Sequence, residues 1–482
     1  MSRLPSLPVL ATLALFPVAL AVRFHQHHAA LLYPDGYQYL LMARGIGEHL
    51  EPTTLLGPGG DLFVPNADAA VKPVFPLAVA AVHALGISWI DAATLVTVVA
   101  AAWVVTASAL LVRRLSGSTA AGLASGVLVL ASPSISFWSG FSGPDPLAVA
   151  LVLSAALAFA HGRAGLGGVL TGLAVATRPE LVLLALAGGV VARRNDRARG
   201  QLRRAASSAL LTALLVFVVL RTPVTVSDWK LASLMPIALA ALALVTRVPP
   251  RMALYGAVAA LVVVALVVAG RPGPATLWEV DRPLLVVAAL ALVVLLRDRD
   301  RRSHAFLVLG GVLLLGGVYL VKNPTLARYF ALLLPAAALL AGLAVGALPS
   351  RFRAAGVAAV AAVAALGLVN QVPGSRDHDM FPVVASGIEE RLVGGEQPLV
   401  TAAPDAYGFW LPEHGVRQMR PGARGAILLD ATQRLYEPGL TADGTVVARL
   451  GGAIAFARPD LEIDAYPAIL VSGRVVAGSG RR

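Results

Sequence analysis

An aspartate follows the first apolar segment of the chain, where a polar run leads into a second helical pattern. The run Tyr33-Pro34-Asp35-Gly36-Tyr37 opens residues 36–50, which predict an amphipathic helix along a membrane interface that carries Tyr39. The Asp35 carboxylate could cap this helix by accepting N–H bonds from its first turn. Alternatively, it could act as a general base or hold a divalent cation. Residue type alone favours the cap.

Two later stretches place charged residues beside proline at the ends of apolar segments. Asp145 precedes Pro146, which is a common start of a helix, so Asp145 could be a helix cap. The stretch Thr177-Arg178-Pro179-Glu180 puts a cation two residues from an acid, which allows a local Arg178–Glu180 ion pair. The chemical alternatives are a carboxylate that faces water or a partner and an arginine whose fork binds phosphate oxygens.

Charged residues also occur in two other loops. The long stretch after the first apolar segment contains Asp68 and Lys72, and a later stretch runs from Lys322 through Arg328 to Tyr329. Snorkelling at a membrane boundary is the simpler interpretation of Lys322 and Arg328. If all these loops lie on one side of a membrane, however, their side chains can form one site.

The composition identifies an integral membrane protein. Of the 482 residues, 57% are hydrophobic and 14% are charged, whereas soluble domains carry about 25% charged residues. The net charge of +12 comes from short basic clusters between apolar segments, as membrane topology signals do. The sequence has no basic face interleaved with aromatics, which argues against nucleic-acid binding. The chain has no cysteine, so disulfides, thiolate catalysis and zinc–thiolate sites are excluded.

The apolar segments predict a polytopic α-helical protein with about 13 transmembrane helices, in a range of about 11–13, each near the length that a bilayer core requires. The first is 8–22, which we interpret as a span because no small-residue cleavage site follows it. The other segments are 90–112, 119–136, 145–161, 164–176, 180–193, 206–221, 231–246, 252–270, 283–296, 304–321, 329–348 and 354–371.

The basic clusters predict the orientation. With the N-terminus in the cytoplasm, residues 113–114, 193–204, 297–302 and 351–353 all fall on the cytoplasmic side, as the positive-inside rule requires. Residues 23–88 then form a long first loop on the outer side, and the charged stretches described above lie on that side too. We therefore expect a multi-pass protein of the cell membrane.

The last part of the chain, 372–482, differs from the membrane domain, 1–371, because it carries charges of both signs. Residues 397–401, 425–430 and 451–457 read as strands between turns, and 386–393 predicts a helix with Ser386 as its cap. An odd number of spans places this tail outside the cytoplasm. Its length suits one small α/β domain.

Acids and bases thus converge on the outer face, whereas the inner face is almost purely basic. Such a site suits a lipid phosphate as one substrate and a hydroxyl to be activated as the other. The sequence contains no glycine-rich phosphate loop with Lys-Ser/Thr and no dinucleotide fingerprint after a strand. We therefore expect an activated, lipid-linked donor rather than a nucleotide.

Five short motifs follow one another along the chain, all on the predicted outer side of the membrane. They are Asp35 with Tyr39 and Ala43, Lys72-Pro73, Asp145-Pro146-Leu147, Thr177-Arg178-Pro179, and Arg328-Tyr329-Phe330 followed by Pro335. Together they resemble the GT-C class of membrane glycosyltransferases, close to the branch of the protein O-mannosyltransferases and the lipid A aminoarabinose transferases. The resemblance covers about residues 7–350. It implies a GT-C-like membrane domain followed by a soluble outer domain.

The resemblance also implies an activity: transfer of a hexose or pentose from a polyprenyl-phosphate donor to a glycan, lipid or protein acceptor on the outer face. Asp35 matches an acidic residue of the first loop that serves as the base or as a contact to substrate or metal. Asp145 matches an acidic residue at the start of an outer helix and is a second catalytic candidate. The adjacent pair of acids that is common in the first loop is here Asp35-Gly36, which weakens a metal site.

The basic matches concern the donor. Lys72, Arg178 and Arg328 match positions that hold the donor phosphate, and Tyr329 lies beside the last of them. The remaining candidates of the outer loops are Tyr39, Asp68, Glu180 and Lys322.

Two other functions fit parts of the pattern. A transporter or flippase of a lipid-linked or small substrate would also contain many spans and buried charges near broken helices. Against it, the polar residues cluster on one face rather than at mid-span, and no inverted repeat is visible. A non-catalytic scaffold that presents the tail to partners would not require acids opposite basic helix ends.

Overall fold

The computed structural model describes most of the membrane domain and of the tail. The described residues are 7–26, 34–50, 72–182, 184, 196–220, 272–298, 301–322, 327–371, 381–392, 397–430, 433, 437, 439–454 and 466–477. The predicted spans 231–246 and 252–270 and almost all of 180–193 lie outside them.

Seventeen α-helices are described, most of them apolar. The helices of the N-terminal part are α1 (Leu7–Leu13), α2 (Leu15–Gln26), α3 (Pro34–His49), α4 (Val74–His83), α5 (Trp89–Ser116), α6 (Thr119–Ala131), α7 (Pro133–Ser139), α8 (Pro144–Ala160) and α9 (Ala164–Thr177). The later helices are α10 (Asp196–Val219), α11 (Pro272–Arg297), α12 (Arg302–Lys322), α13 (Ala327–Ala331), α14 (Leu334–Ala347), α15 (Ser350–Val369), α16 (Phe381–Glu389) and α17 (Pro404–Trp410).

Within the described residues, four helices are long and apolar enough to cross a membrane. They are Leu7–Gln26, Trp89–Ser116, Tyr329–Ala347 and Ser350–Val369, and the bent pair α6–α7 adds a fifth if it is one span. Helices α8 and α9 are apolar but shorter. The polytopic helical architecture is therefore confirmed, whereas the count of about 13 spans stays a prediction.

Small residues allow the spanning helices to pack closely. A Cβ at Gly122 of α6 would lie 2.6 Å from the carbonyl oxygen of Ala109 on α5, and one at Gly342 of α14 would lie 2.8 Å from that of Ala121. Close backbone contact between small residues is a main source of helix association in lipid. The hydrophobic effect does not drive association there, because the lipid tails are as apolar as the side chains. The alanine- and glycine-rich composition thus becomes the α5–α6–α14 core.

Helices α6 and α7 meet at a 62° bend. A buried acid accepts hydrogen bonds at the start of α7. Asp281 stands at a non-helical point inside α11. Its carboxylate accepts hydrogen bonds from Ser132 Oγ at 2.7 Å and from the Ser134 backbone N–H at 3.2 Å. Backbone groups freed by a helix break need protein partners where water is excluded, and Asp281 supplies one.

A buried cation serves the other side of the same break. The Arg23 guanidinium, near the end of α2, donates to the carbonyl oxygens of Val129 at 3.0 Å and Leu130 at 3.2 Å. The Gln371 side chain donates to the Leu130 oxygen as well, at 2.8 Å. Carbonyls at the C-terminal end of a helix carry partial negative charge, so these donors stabilise the C-terminal end of α6.

The C-terminal sheet domain, which we define as residues 381–477, contains a five-stranded sheet in the order β2-β1-β3-β5-β4. Its strands are β1 (Leu399–Thr401), β2 (Arg417–Gln418), β3 (Arg424–Leu429), β4 (Leu440–Ile454) and β5 (Tyr466–Ala477). Strand β1 is parallel to β2 and β3, whereas β5 is antiparallel to β3 and β4.

The sequence identified part of this domain. The strands predicted at 397–401 and 425–430 correspond to β1 and β3, and the described part of the prediction at 451–457 is the end of β4. The predicted helix at 386–393 was misplaced, because α16 begins at Phe381 and ends at Glu389. Ser386 therefore lies inside the helix, whose buried face is Phe381, Val384, Ala385 and Ile388. Apolar spacing, rather than the capping pattern, positions this helix.

The packing of α9 on α10 gives a test with a matched control. In Gly172→Ala the new Cβ would lie 2.5 Å from the Ala209 carbonyl oxygen, whereas in Gly165→Ala the nearest atom, Ser208 Oγ, is 3.9 Å away. Both changes gain up to about 1 kcal/mol of helix propensity, but only the first overpacks, at a cost of about 1–3 kcal/mol. Thermal unfolding in detergent should therefore show Gly172→Ala below Gly165→Ala. Equal melting temperatures would contradict the packing.

Candidate active site

The ends of several helices meet at one place. Helices α8 and α9 are sequential neighbours that pack along each other, so the start of α8 lies beside the end of α9. Residue 72, before α4, and the α12–α13 junction also approach this point. The side chains brought together are Tyr39, Lys72, Asp145, Arg178, Glu180, Tyr319 and Tyr329. We call this group the charged cluster.

Arg178, the residue after α9, is the centre of the charged cluster. Its Nε donates to Asp145 Oδ1 at 2.7 Å, and its Nη2 contacts the same oxygen. Its Nη1 donates to Glu180 Oε1 at 2.6 Å. The local Arg178–Glu180 ion pair considered from the sequence is thus present, together with a second carboxylate from α8.

Burial makes both ion pairs strong constraints. Arg178 is 2% exposed and Glu180 is 3% exposed. Burial alone would raise the pKa of Glu180, but the positive charges of Arg178 and Lys72 and its hydrogen bonds lower that pKa to about 2. Although burial lowers the pKa of Arg178, the Asp145 and Glu180 carboxylates raise it overall. Arg178 and Glu180 are therefore both ionised at neutral pH.

Asp145 is not the helix cap that its place before Pro146 suggested. Helix α8 begins one residue earlier, at Pro144, and Gly143 occupies the cap position without a side-chain bond. Asp145 is therefore within the first turn, where a negative charge is favourable, and its carboxylate is bonded by Arg178. The cap interpretation of Asp145 was wrong because the chain enters the helix through two prolines rather than one.

Lys72 is the second cation of the charged cluster. Among the described residues, its ammonium has one hydrogen-bond partner, Tyr39 Oη at 3.5 Å, and no carboxylate within ion-pair distance. Tyr39 raises the pKa of Lys72, and Glu180 and Tyr329 add to this against burial and the Arg178 charge. A lysine ammonium has three donors, so Lys72 keeps capacity for an anionic ligand.

Tyr329 covers the guanidinium of Arg178, and Tyr319 stacks on Tyr329. The Tyr329 ring lies 5.1 Å from the Arg178 carbon Cζ, a cation–π distance. The Tyr319 ring stacks on Tyr329 at 5.3 Å between centroids. Tyr319 is 1% exposed, and its hydroxyl has no hydrogen-bond partner among the described residues. A buried hydroxyl without a partner is costly, which makes Tyr319 a candidate for contact with a ligand.

Tyr319 was missed from the sequence. It stands near the end of the predicted span 304–321, where a lone tyrosine is typical of the aromatic belt of membrane proteins. The available signal was its sequence distance of only ten residues from Tyr329, across the polar Lys322–Arg328 stretch. Only the packing of α12 against α13 shows that the Tyr319 ring stacks on Tyr329, which covers Arg178.

Other predicted residues are not described at the level of their side chains. Asp35 lies in the first turn of α3, Lys322 ends α12 and Arg328 lies in α13, but the side chains of all three are outside the described part of the structure. Asp68 lies wholly outside it. Among the described residues, no group of three or more His, Asp or Glu side chains could hold a metal ion.

Solved structures with a similar fold include two of an archaeal membrane enzyme. The archaeal oligosaccharyltransferase AglB from Archaeoglobus fulgidus, in complex with an inhibitory peptide and a dolichol-phosphate, is similar over 85% of this chain with a TM-score of 0.55 and 12% identity. A structure of the Archaeoglobus fulgidus oligosaccharyltransferase with Zn and sulfate is similar over 84% of this chain, with a TM-score of 0.52 and 13% identity. This chain spans 64% and 62% of those two chains.

A third similar structure has a lower score. ArnT from Cupriavidus metallidurans bound to undecaprenyl phosphate is matched over 96% of this chain and 97% of that chain, with a TM-score of 0.44 and 15% identity. No protein-family model and no curated protein matches the sequence. The GT-C class predicted from the sequence is confirmed as a fold.

The ion pairs of Arg178 predict a large loss of stability when the cation is removed. In Arg178→Met two carboxylates lose their partner, and breaking a buried pair in this way costs about 3–5 kcal/mol. The control is Arg163→Met, because Arg163 is exposed between α8 and α9 and makes no side-chain cap bond. An exposed residue of this kind should change stability by no more than about 0.5 kcal/mol.

Thermal unfolding of the purified protein in detergent measures both variants. Similar melting temperatures for Arg178→Met and Arg163→Met would show that Arg178 is not held between the two carboxylates.

Proposed function

We propose that this chain, which has the fold of the GT-C membrane glycosyltransferases, transfers a sugar from a polyprenyl-phosphate donor to an acceptor at the outer face of the membrane. The observation that carries the proposal is the charged cluster, in which buried and partly buried acids and cations lie together at the ends of neighbouring helices. AglB, whose fold is similar, was solved with a dolichol-phosphate. A glycan, a lipid or a protein could each supply the attacking hydroxyl or amine.

The donor phosphate is assigned to the cations of the charged cluster. Lys72 keeps free donor capacity beside Tyr39, and Arg178 uses only three of its five N–H groups for its carboxylate partners. Arg328 follows α13's first residue, next to Tyr329. The Tyr319 hydroxyl adds an uncharged donor in the same place. Fixed donors in a site that excludes water stabilise charge that develops on a phosphate.

Asp35 is assigned as the general base that takes up the proton of the acceptor. Asp145, the other acid proposed as catalytic, is ion-paired with Arg178, so its role is to hold that arginine in place. Asp35 lies in the first turn of α3, the same helix that brings Tyr39 to Lys72. The shared helix supports the assignment of the base to Asp35, and binding of a divalent cation is the alternative role for this residue.

The proposed reaction is a single displacement. The acceptor oxygen or nitrogen attacks the anomeric carbon, the bond from that carbon to the phosphate oxygen breaks, and the acceptor proton passes to Asp35. The electron pair of the broken bond stays on the lipid phosphate, where Lys72, Arg178 and Arg328 offset the negative charge. A phosphate is a good leaving group, so no acid catalyst is needed.

Transport is the competing function, and the position of the charged cluster argues against it. Substrate sites of transporters lie near the middle of the membrane, between broken helices. Here the charges lie at the start of α8 and after the end of α9, and the break between α6 and α7 is filled by Asp281 and Arg23. A site at the helix ends suits a lipid headgroup and a water-borne or lipid-borne acceptor.

The role of Asp35 is tested by Asp35→Asn in a strain that lacks the native gene. We expect loss of the transferred sugar with unchanged protein level and melting temperature, because the amide cannot take up a proton. Asp91→Asn is the control, since Asp91 is an exposed acid in the first turn of α5 that bonds only Ser88. Mass spectrometry of extracted lipids and glycans reports transfer.

The same strain identifies the substrates. A glycan lost on deletion names the acceptor class, and a sugar-loaded polyprenyl phosphate that accumulates names the donor. Restored transfer by Asp35→Asn together with a lower melting temperature would instead indicate that Asp35 is a helix cap.

The role of Lys72 is tested by Lys72→Met, which keeps the length of the side chain but removes its charge. A charged hydrogen bond contributes about 1.5–3 kcal/mol, so undecaprenyl phosphate should bind at least about tenfold more weakly. Arg44→Met is the control, because Arg44 is an exposed cation of α3 paired with Glu48. Binding to the purified protein in nanodiscs measures both, and equal affinities would exclude Lys72 from the phosphate site.

A further inference from the structure

Helix α3 connects the C-terminal sheet domain to the charged cluster. Its residue Tyr37 is fully buried, and Trp410 Nε1 at the end of α17 donates a hydrogen bond to Tyr37 Oη at 2.9 Å. The Tyr37 ring also packs against Phe381 at 5.2 Å and Phe409 at 5.5 Å between centroids. The three partners of Tyr37 all belong to the C-terminal sheet domain.

Two residues further along the same helix, Tyr39 faces the site instead. Its hydroxyl accepts the weak hydrogen bond from Lys72 at 3.5 Å. Its ring packs edge-on against Phe75 of α4, with centroids 5.7 Å apart. Tyr39 is also the largest influence on the pKa of Lys72. Tyr39 is thus the hydrogen-bond partner of the cation that the proposed function assigns to the donor phosphate.

The two tyrosines belong to one continuous apolar core. Tyr37, Tyr39, Leu40 and Met42 of α3 pack in the same cluster as Phe75 of α4, and that cluster also contains Phe381, Tyr407 and Leu470 of the C-terminal sheet domain. Adjacent residues of an α-helix rise by about 1.5 Å, and the backbone bonds between them leave little freedom. A displacement of α3 at Tyr37 therefore moves Tyr39 as well.

We propose that Trp410 and Tyr37 are positioning residues: the C-terminal sheet domain holds α3 through their hydrogen bond and thereby sets Tyr39 and Lys72 for the donor phosphate. The domain is then part of the apparatus of the site rather than only an appendage. The proposal deepens the proposed function, because it depends on Lys72 as a phosphate ligand. Neither residue contacts the substrate in this scheme.

The first measurement is the affinity of the full-length protein in nanodiscs for undecaprenyl phosphate. Trp410→Phe and Tyr37→Phe each keep a ring but remove one partner of the hydrogen bond, so each should weaken binding about fivefold. The double variant should bind undecaprenyl phosphate no more weakly than the more affected single variant, because both changes remove the same hydrogen bond. Trp278→Phe is the control, since Trp278 lies half-exposed on α11.

The second measurement does not depend on any ligand. Hydrogen–deuterium exchange should rise in Trp410→Phe in the peptides that cover residues 39–46 of α3 and 72–76 around Lys72, and should be unchanged there in Trp278→Phe. A merely structural role of Trp410 would lower the melting temperature without altering exchange at these peptides or the affinity for undecaprenyl phosphate.

The outcomes separate the two proposals. If the wild-type protein does not bind undecaprenyl phosphate, the proposed donor is wrong, and exchange alone decides whether Trp410 holds α3. If the wild type binds it but either exchange or affinity is unchanged in Trp410→Phe and Tyr37→Phe, the positioning role is overturned. Increased exchange together with weaker binding supports it.

Discussion

A guanidinium buried between two carboxylates constrains the arrangement of the membrane domain. Burying Arg178 in an apolar bundle is costly unless its charge is paired and its N–H groups are bonded. Asp145 comes from the start of α8 and Glu180 from the turn after α9, so the pairing holds these two helix ends together. The ring of Tyr329 lies over the same cation, and the ring of Tyr319 stacks on Tyr329. The charged cluster thus forms because the buried charge of Arg178 requires partners from several helices and turns.

The buried polar groups at the α6–α7 bend serve the backbone. At the α6–α7 bend, Asp281 accepts two bonds and Arg23 donates to two carbonyls, so the freed backbone groups obtain partners. In the charged cluster, by contrast, the Tyr319 hydroxyl has no partner among the described residues and Lys72 has only a weak one. Buried polar groups that have all their hydrogen bonds stabilise one particular structure, whereas donors without partners are available to bind a ligand.

The sequence predicted the class of fold and much of the cluster, for identifiable reasons. Long apolar segments require helices in lipid, and charges are so rare in them that Lys72, Asp145, Arg178 and Glu180 stood out. Two local assignments differ from the structure. The cap that was one alternative for Asp145 is absent, because Gly143 occupies the cap position of α8, and the helix predicted at 386–393 from a capping pattern is α16, from Phe381 to Glu389. Helix ends depend on packing that adjacent residues do not reveal. Tyr319 could not be separated from an ordinary interfacial aromatic, because its significance arises from partners on other helices.

The contact between Tyr37 and Trp410 also orders events in time. The two residues are 373 positions apart in the chain, and such long-range contacts form late because a long loop must be closed first. A ribosome therefore delivers α3 to the membrane long before its partner in the C-terminal sheet domain has been made. During that interval the helices that surround Arg178 can already assemble, but α3 lacks its last support. A nascent chain would thus acquire the contact between Tyr37 and Trp410, and with it this support of α3, only after the C-terminal sheet domain has folded.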